Sequence, residues 1–172
     1  MQAGRQRGGQ RRKELKISLI ENCYVTGDVR GKNDVGGVGN LESGASISYC
    51  YASGAITGKW NVGGVLGTCN AFANKIISCV ALNPNVTSPQ RVGRVVGYAI
   101  GTLTNNWARS DMGTNGGGAF PDGNAPDNNF NGANCDAIPL QGWWATNAPG
   151  GPGWSSDIWN FTAGNLPTLK KN

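Results

Sequence analysis

The sequence predicts an all-β fold, a short right-handed parallel β-solenoid of about 27-residue coils with an irregular Gly/Asn/Trp-rich C-terminal cap. Three observations predict it: a cysteine-centred block that recurs at near-constant spacing, a Val-Gly-Gly block that follows each cysteine at a near-constant distance, and a composition poor in charge and rich in glycine. The 172 residues hold 28 glycines, and only 15% are charged, against usual shares of about 7% and about 25%. Such a chain buries one modest core and is too short for two full domains. The expected organisation is a basic arm over 1–16, repeats over 17–112 and a loop-rich cap over 113–172.

The register starts at Asn22-Cys23-Tyr24-Val25-Thr26-Gly27 and returns at Tyr49-Cys50-Tyr51-Ala52-Ser53-Gly54 and at Ser78-Cys79-Val80-Ala81, so the cysteines are 27 and 29 residues apart. Three residues before each cysteine stands an isoleucine, Ile20, Ile47 or Ile76, and Leu103 with Asn106 in the cysteine slot opens a fourth turn. The second block reads Val35-Gly36-Gly37-Val38, then Val62-Gly63-Gly64-Val65-Leu66-Gly67, then Val92-Gly93-Arg94-Val95-Val96-Gly97. Short β-branched runs broken by glycine at this period suit stacked β-coils and leave no room for the long amphipathic stretches of helical repeats. One coil alone has nothing to cover its inner face. Stacking coils about 4.8 Å apart pairs each strand with its equivalents and turns equivalent side chains into internal columns. The isoleucines, the valines and the cysteines are expected to form three such columns, the cysteines as small buried hydrophobes. Corner glycines are expected to supply positive φ, with Asn40 as a tolerated substitute at the position of Gly67 and Gly97.

The pattern Asn-Cys-Tyr-x-Thr-Gly-x-Val followed by Val-Gly-Gly-x-x-Gly resembles the GLUG repeat of large bacterial surface proteins, including adhesin-like proteins and the N-terminal parts of some IgA-specific metallopeptidases. The match runs from Ile20 to about Leu103 and is degenerate in the third copy, where Val80 replaces tyrosine, Leu82-Asn83 replace Thr-Gly and Arg94 replaces the second glycine. Trp107-Ala108 with Met112, Gly132-Ala133-Asn134-Cys135 and the ending Leu166-Pro167-Thr168-Leu169 are similar to the C-terminal ends of such arrays. The resemblance implies a non-enzymatic structural or adhesion module, extracellular or at the cell surface, forming the C-terminal part of a larger repeat protein. It implies a host or cell-surface glycan or protein as partner.

From Gly113 onward no period is detectable. A solenoid's last coil leaves an inner face and strand edges open, so Trp143, Trp144, Trp154, Trp159, Phe161, Leu166 and Leu169 are expected to anchor a cap over that end. The competing reading is a carbohydrate-binding platform, since exposed indole faces stack on sugar rings. Tyr24, Tyr51 and Trp107 follow the cysteine slot and point opposite to it by strand alternation; they form a stripe on the outer wall, either a ligand or partner surface or rings packed beneath a loop. Asp127, Asn129 and Asn131, with Gly132, match the first half of a calcium loop, but position 12 is Ile138 and only Asp136 adds an acid. Calcium seeks six to eight oxygens, so this set implies weak binding at most, and no other cofactor is expected.

Histidine is absent, which excludes serine-histidine and cysteine-histidine nucleophiles and most zinc sites. Cys69 and Cys135 stand outside the cysteine column and are candidates for a disulfide, although five cysteines leave one unpaired. No acidic pair recurs in register, as a solenoid glycosidase or lyase would need: Asp28 faces Ala55 one repeat on, and Asp34 faces Asn61. The net charge of +5 comes from Arg5, Arg7, Arg11, Arg12, Lys13 and Lys16 against Glu14, a terminal arm and not a specific nucleic-acid surface. Ile17 to Ile20 is too short for a signal-peptide core, and no stretch has the length of a membrane span. By itself this reads as a cytoplasmic chain; an internal piece of an exported protein would look the same.

Overall fold

The cysteine register becomes the pitch of the fold. The computed structural model describes residues 18–114, 120 and 129–171, and the basic arm lies outside them. The first coil contains β1 (Ser18–Glu21), β2 (Tyr24–Val25), β3 (Val29–Arg30), β4 (Asn33–Gly36) and β5 (Gly39–Leu41). The second repeats them as β6 (Ala45–Ser48), β7 (Tyr51–Ala52), β8 (Ile56–Thr57), β9 (Trp60–Gly63) and β10 (Leu66–Cys69), and the third as β11 (Lys75–Ile77), β12 (Val80–Ala81), β13 (Val86–Thr87), β14 (Val92–Gly93) and β15 (Val96–Ala99). A fourth begins with β16 (Thr102–Thr104) and β17 (Trp107–Arg109). After it come β18 (Ala133–Cys135), a 3₁₀ turn over Gln141–Ala145, and the strands β19 (Trp159–Asn160) and β20 (Thr168–Leu169).

Equivalent strands pair in parallel, giving a β-solenoid of about four turns with five walls. Ile20 lies opposite Ile47, Ile47 opposite Ile76 and Ile76 opposite Leu103; Val35, Val62 and Val92 are likewise in register. These columns fill a core with Val65, Leu66, Val86, Val95 and Val96, all fully buried. The wall that begins with β2 runs one rung past residue 112, because Ala133 of β18 pairs with Trp107.

The corners work differently from the expectation. Positive φ falls on the residue before each cysteine slot, Asn22, Tyr49, Ser78 and Asn105, all between 51° and 54°. Gly67 and Gly97 are not left-handed. A Cβ at Gly67 would sit inside the backbone of Asp34 and Val35, and one at Gly97 inside that of Asn61 and Val62. The Val-Gly-Gly-x-x-Gly block is thus an arc folded so tightly that two backbones touch, and glycine is selected for close approach. The cysteine slot is also more polar than expected. Cys23 N–H donates to Cys50 Sγ at 3.4 Å, and the Cys50 and Cys79 thiols donate to Ser48 O and Ile77 O at 3.1 and 3.4 Å. Asn106 completes the column, accepting from Cys79 N–H at 3.0 Å and donating to Ile76 O at 2.9 Å. A thiol and an amide share the slot because both can meet a corner N–H and return a donor.

Candidate functional site

The first part of the C-terminal segment closes the end of the stack with β18 and with Phe120 against the core, but its Trp-rich part does not lie over that end. That part runs back along the outer aromatic wall and builds a second core there, containing Tyr51, Val80, Leu82, Trp107, Trp144, Trp154 and Trp159, with Trp143, Phe161 and Leu166 packed at its margin. Leu169, also expected as an anchor, remains 38% exposed. The register explains the docking. The aromatic positions after the cysteine slot stack, Tyr24 on Tyr51 at 5.2 Å and 6° between planes, and this flat face takes the tail's rings. Trp154 lies 4.8 Å from Trp144 and 4.6 Å from Trp159, and Trp143 meets Trp107 edge-on at 5.2 Å.

Buried indoles and phenols also bring polar atoms that need partners. Trp154 Nε1 donates to Ser78 O at 2.8 Å, Trp159 Nε1 to Asn22 Oδ1 at 3.2 Å, and Tyr51 Oη to Pro167 O at 2.8 Å. Trp107 Nε1 donates to Asn105 Oδ1 at 3.0 Å, while Asn105 Nδ2 donates to Gly151 O at 3.1 Å. The strap is therefore bonded to the left-handed corner residues of the first, third and fourth coils. Tyr51 and Trp144 are each 1% exposed and Trp107 7%, so these rings pack beneath the covering segment and a sugar cannot reach their faces, whereas Tyr24 at the first coil remains 39% exposed. Burial and the neighbouring Tyr24 push the Tyr51 phenol above its ordinary range.

Also closing the end is Arg94, the residue that breaks the glycine pattern. In the preceding coils the slot is Gly37 and Gly64, where a Cβ would strike the coil above. Over this slot in the third coil lie Asn131 and Gly132 of the returning chain, and the arginine packs beneath them, 3% exposed. Its Nε donates to Asn131 O at 3.0 Å, Nη2 to Gly132 O at 2.9 Å, and Nη1 to Asn134 Oδ1 at 2.7 Å and Arg109 O at 3.2 Å. Burial lowers the guanidinium pKa from its ordinary value.

The same contacts engage the described part of the set singled out for calcium. Asn131 Oδ1 accepts from Arg94 N–H at 3.1 Å and Asn129 Oδ1 from Asn131 N–H at 2.8 Å. Both oxygens are turned onto the chain's own amides, beside a buried cation, and Asp136 is exposed. Asp127 lies outside the described residues. Cys69 and Cys135 are free thiols in separate cores, so the disulfide expectation is corrected. Burial holds the Cys135 thiol up at about 12 and raises that of Cys69.

Shallow clefts open along the strap. One of about 500 Å³ is lined by Gln141, Trp159, Phe161 and Lys170, and others carry Asp136 or Glu21 as their single acid. On the other side of the stack lies a cluster that the repeat pattern does not single out. Arg91 is placed over the Trp60 ring at 5.6 Å and over the Tyr98 ring at 4.6 Å, and Phe130 meets Tyr98 edge-on at 6.5 Å. Arg91 is exposed, and Trp60 and Phe130 are 39% and 36% exposed. The signal in the sequence is Trp60 and Arg91 flanking the Val-Gly arcs of consecutive coils, with Tyr98 just past Gly97.

Compared with protein-family models, with curated proteins and with solved structures, the chain matches none. No helix among the described residues is long and apolar enough to cross a membrane.

Proposed function

We propose that this chain is a non-enzymatic structural or adhesion module of the cell surface or extracellular space, and that it forms the C-terminal part of a larger GLUG-type repeat protein. One observation carries the reading, the different treatment of the two ends. Towards the C-terminus the core is plugged by Arg94 and the rung of β18. At the first coil the strands β1 to β5 each have one partner strand among the described residues, and Ile20, Cys23, Val29 and Val38 are only partly buried. Their equivalents Ile47, Cys50, Ile56 and Val65 are fully buried. A face of this kind is completed by another coil of the same register. The glycine arcs and the strap spend the repeat on rigidity, which suits display and spacing. Each described cleft offers at most one carboxylate, short of the pair that glycoside cleavage uses.

Labelling of intact producing cells with an antibody against the purified chain tests the assignment. Surface signal without permeabilisation is expected. Signal only after lysis overturns it.

A further inference from the structure

We propose that Trp60, Arg91, Tyr98 and Phe130 form a binding subsite for an acidic sugar residue, with Arg91 taking its carboxylate or sulfate. The proposal deepens the adhesion reading and rests on it. Its geometric origin is the arc itself. Gly97 lies against the backbone of Asn61 and Val62 so closely that no Cβ fits, and this contact sets the residues on either side, Tyr98 of β15 and Trp60 of β9, around the Arg91 side chain. Two rings then hold one guanidinium, at 4.6 and 5.6 Å from their centres. Such contacts fix the planar group without using its N–H donors. Arg91 makes no side-chain hydrogen bond or ion pair among the described residues, so a full set of donors in fork geometry faces solvent. That is the complement of a bidentate oxyanion.

The surroundings favour an acidic sugar over a neutral one. Lys59 precedes Trp60 and its N–H donates to Lys32 O at 2.8 Å, which stacks two exposed lysines at this corner. The nearby acid, Asp34, is engaged by Asn61 Nδ2 at 2.6 Å. The partly exposed indole of Trp60 and ring of Phe130 supply apolar faces for the C–H side of a pyranose. Asn33, in register with Trp60, is an exposed amide suited to a hydroxyl.

The test is calorimetric titration of the purified full chain with a polyuronate, a sulfated polysaccharide, a neutral polysaccharide of the same length, and polyglutamate. The expected result is binding to one or both acidic glycans at least about tenfold tighter than to the neutral polymer or polyglutamate. Arg91→Gln and Arg91→Lys are each expected to weaken it about tenfold, the lysine because it lacks the fork. Trp60→Ala is expected to do likewise while lowering the melting temperature by less than about 4 °C. Equal affinity for polyglutamate overturns the sugar assignment in favour of an acidic peptide. Indifference to Arg91→Gln, or no heat with either acidic glycan at millimolar sugar, overturns the subsite. Because the titration uses protein in solution, its failure leaves the cell-surface assignment to be judged by the labelling experiment.

Discussion

Trp154 is the centre of the strap, and its removal has a cost that can be worked from its contacts. It is 1% exposed, within 6.1 Å of Tyr51, Trp144 and Trp159 between ring centres, and bonded through Nε1 to Ser78 O. Trp→Ala at such a site loses about 3–5 kcal/mol in burial and cavity terms, and the deserted Ser78 carbonyl adds about 1 kcal/mol. For a chain of this size about 4 kcal/mol corresponds to a fall of roughly 8–16 °C in melting temperature. The assay is urea unfolding of Trp154→Ala followed in parallel by tryptophan fluorescence and far-UV circular dichroism. Trp60→Ala serves as a control, expected to cost under about 1 kcal/mol, since its ring is 39% exposed. A loss below about 1.5 kcal/mol for Trp154→Ala would refute the claim that the strap is a packed core.

Two further outcomes follow from the corners and the thiols. Gly97→Ala places a methyl inside the backbone of β9 and is expected to cost at least about 3 kcal/mol, whereas Gly27→Ala meets nothing within 4 Å at an ordinary φ and should be neutral or stabilising by up to about 1 kcal/mol; equal effects in thermal melts would contradict the close-approach account. The Cys135 thiol has its pKa raised by burial to about 12 from 9.0, so the protonated form is the one folding favours. Its contribution is full below about pH 9 and is lost as pH climbs towards 12, amounting to about 2 kcal/mol by about pH 10.5. Urea midpoints at about pH 8 and about pH 10.5 measure it, and Cys135→Ala should flatten the slope.

The columns were legible because stacking imposes an exact repeat on the side chains that face inward. Ile20, Ile47, Ile76 and Leu103 announce their register by spacing alone, and even the switch from cysteine to Asn106 falls in phase. Side-chain columns carry no information about backbone clearance, however. The glycines of the arcs looked like turn residues, and only the approach of Gly97 to Val62 reveals why no larger side chain fits. Arg94 read as decay of a repeat when it is the plug that a last full coil requires. The tail was legible as a cover from its tryptophans, but its direction was not. An aperiodic segment has no register, and the flat Tyr24–Tyr51 stack that receives it emerges only when the coils are in place.

That direction alters how the molecule should unfold. In a bare stack each coil touches only its neighbours, so stability is a sum of local terms and the ends fray independently. Here Trp159 bonds Asn22 across 137 residues, Tyr51 bonds Pro167 across 116 and Trp154 bonds Ser78 across 76. These bonds tie coils one, two and three to a single segment, so opening the first coil also costs contacts made by the strap. The intact chain is therefore expected to unfold in one transition, with fluorescence and circular dichroism superimposed. Trp159→Ala removes the tie to the first coil and should separate them: amides of β1 and β2 exchange early, while those of β11 and β12 keep their protection. If native-state hydrogen exchange finds the first and third coils equally protected in that variant, nearest-neighbour stacking suffices and the strap adds packing without coupling.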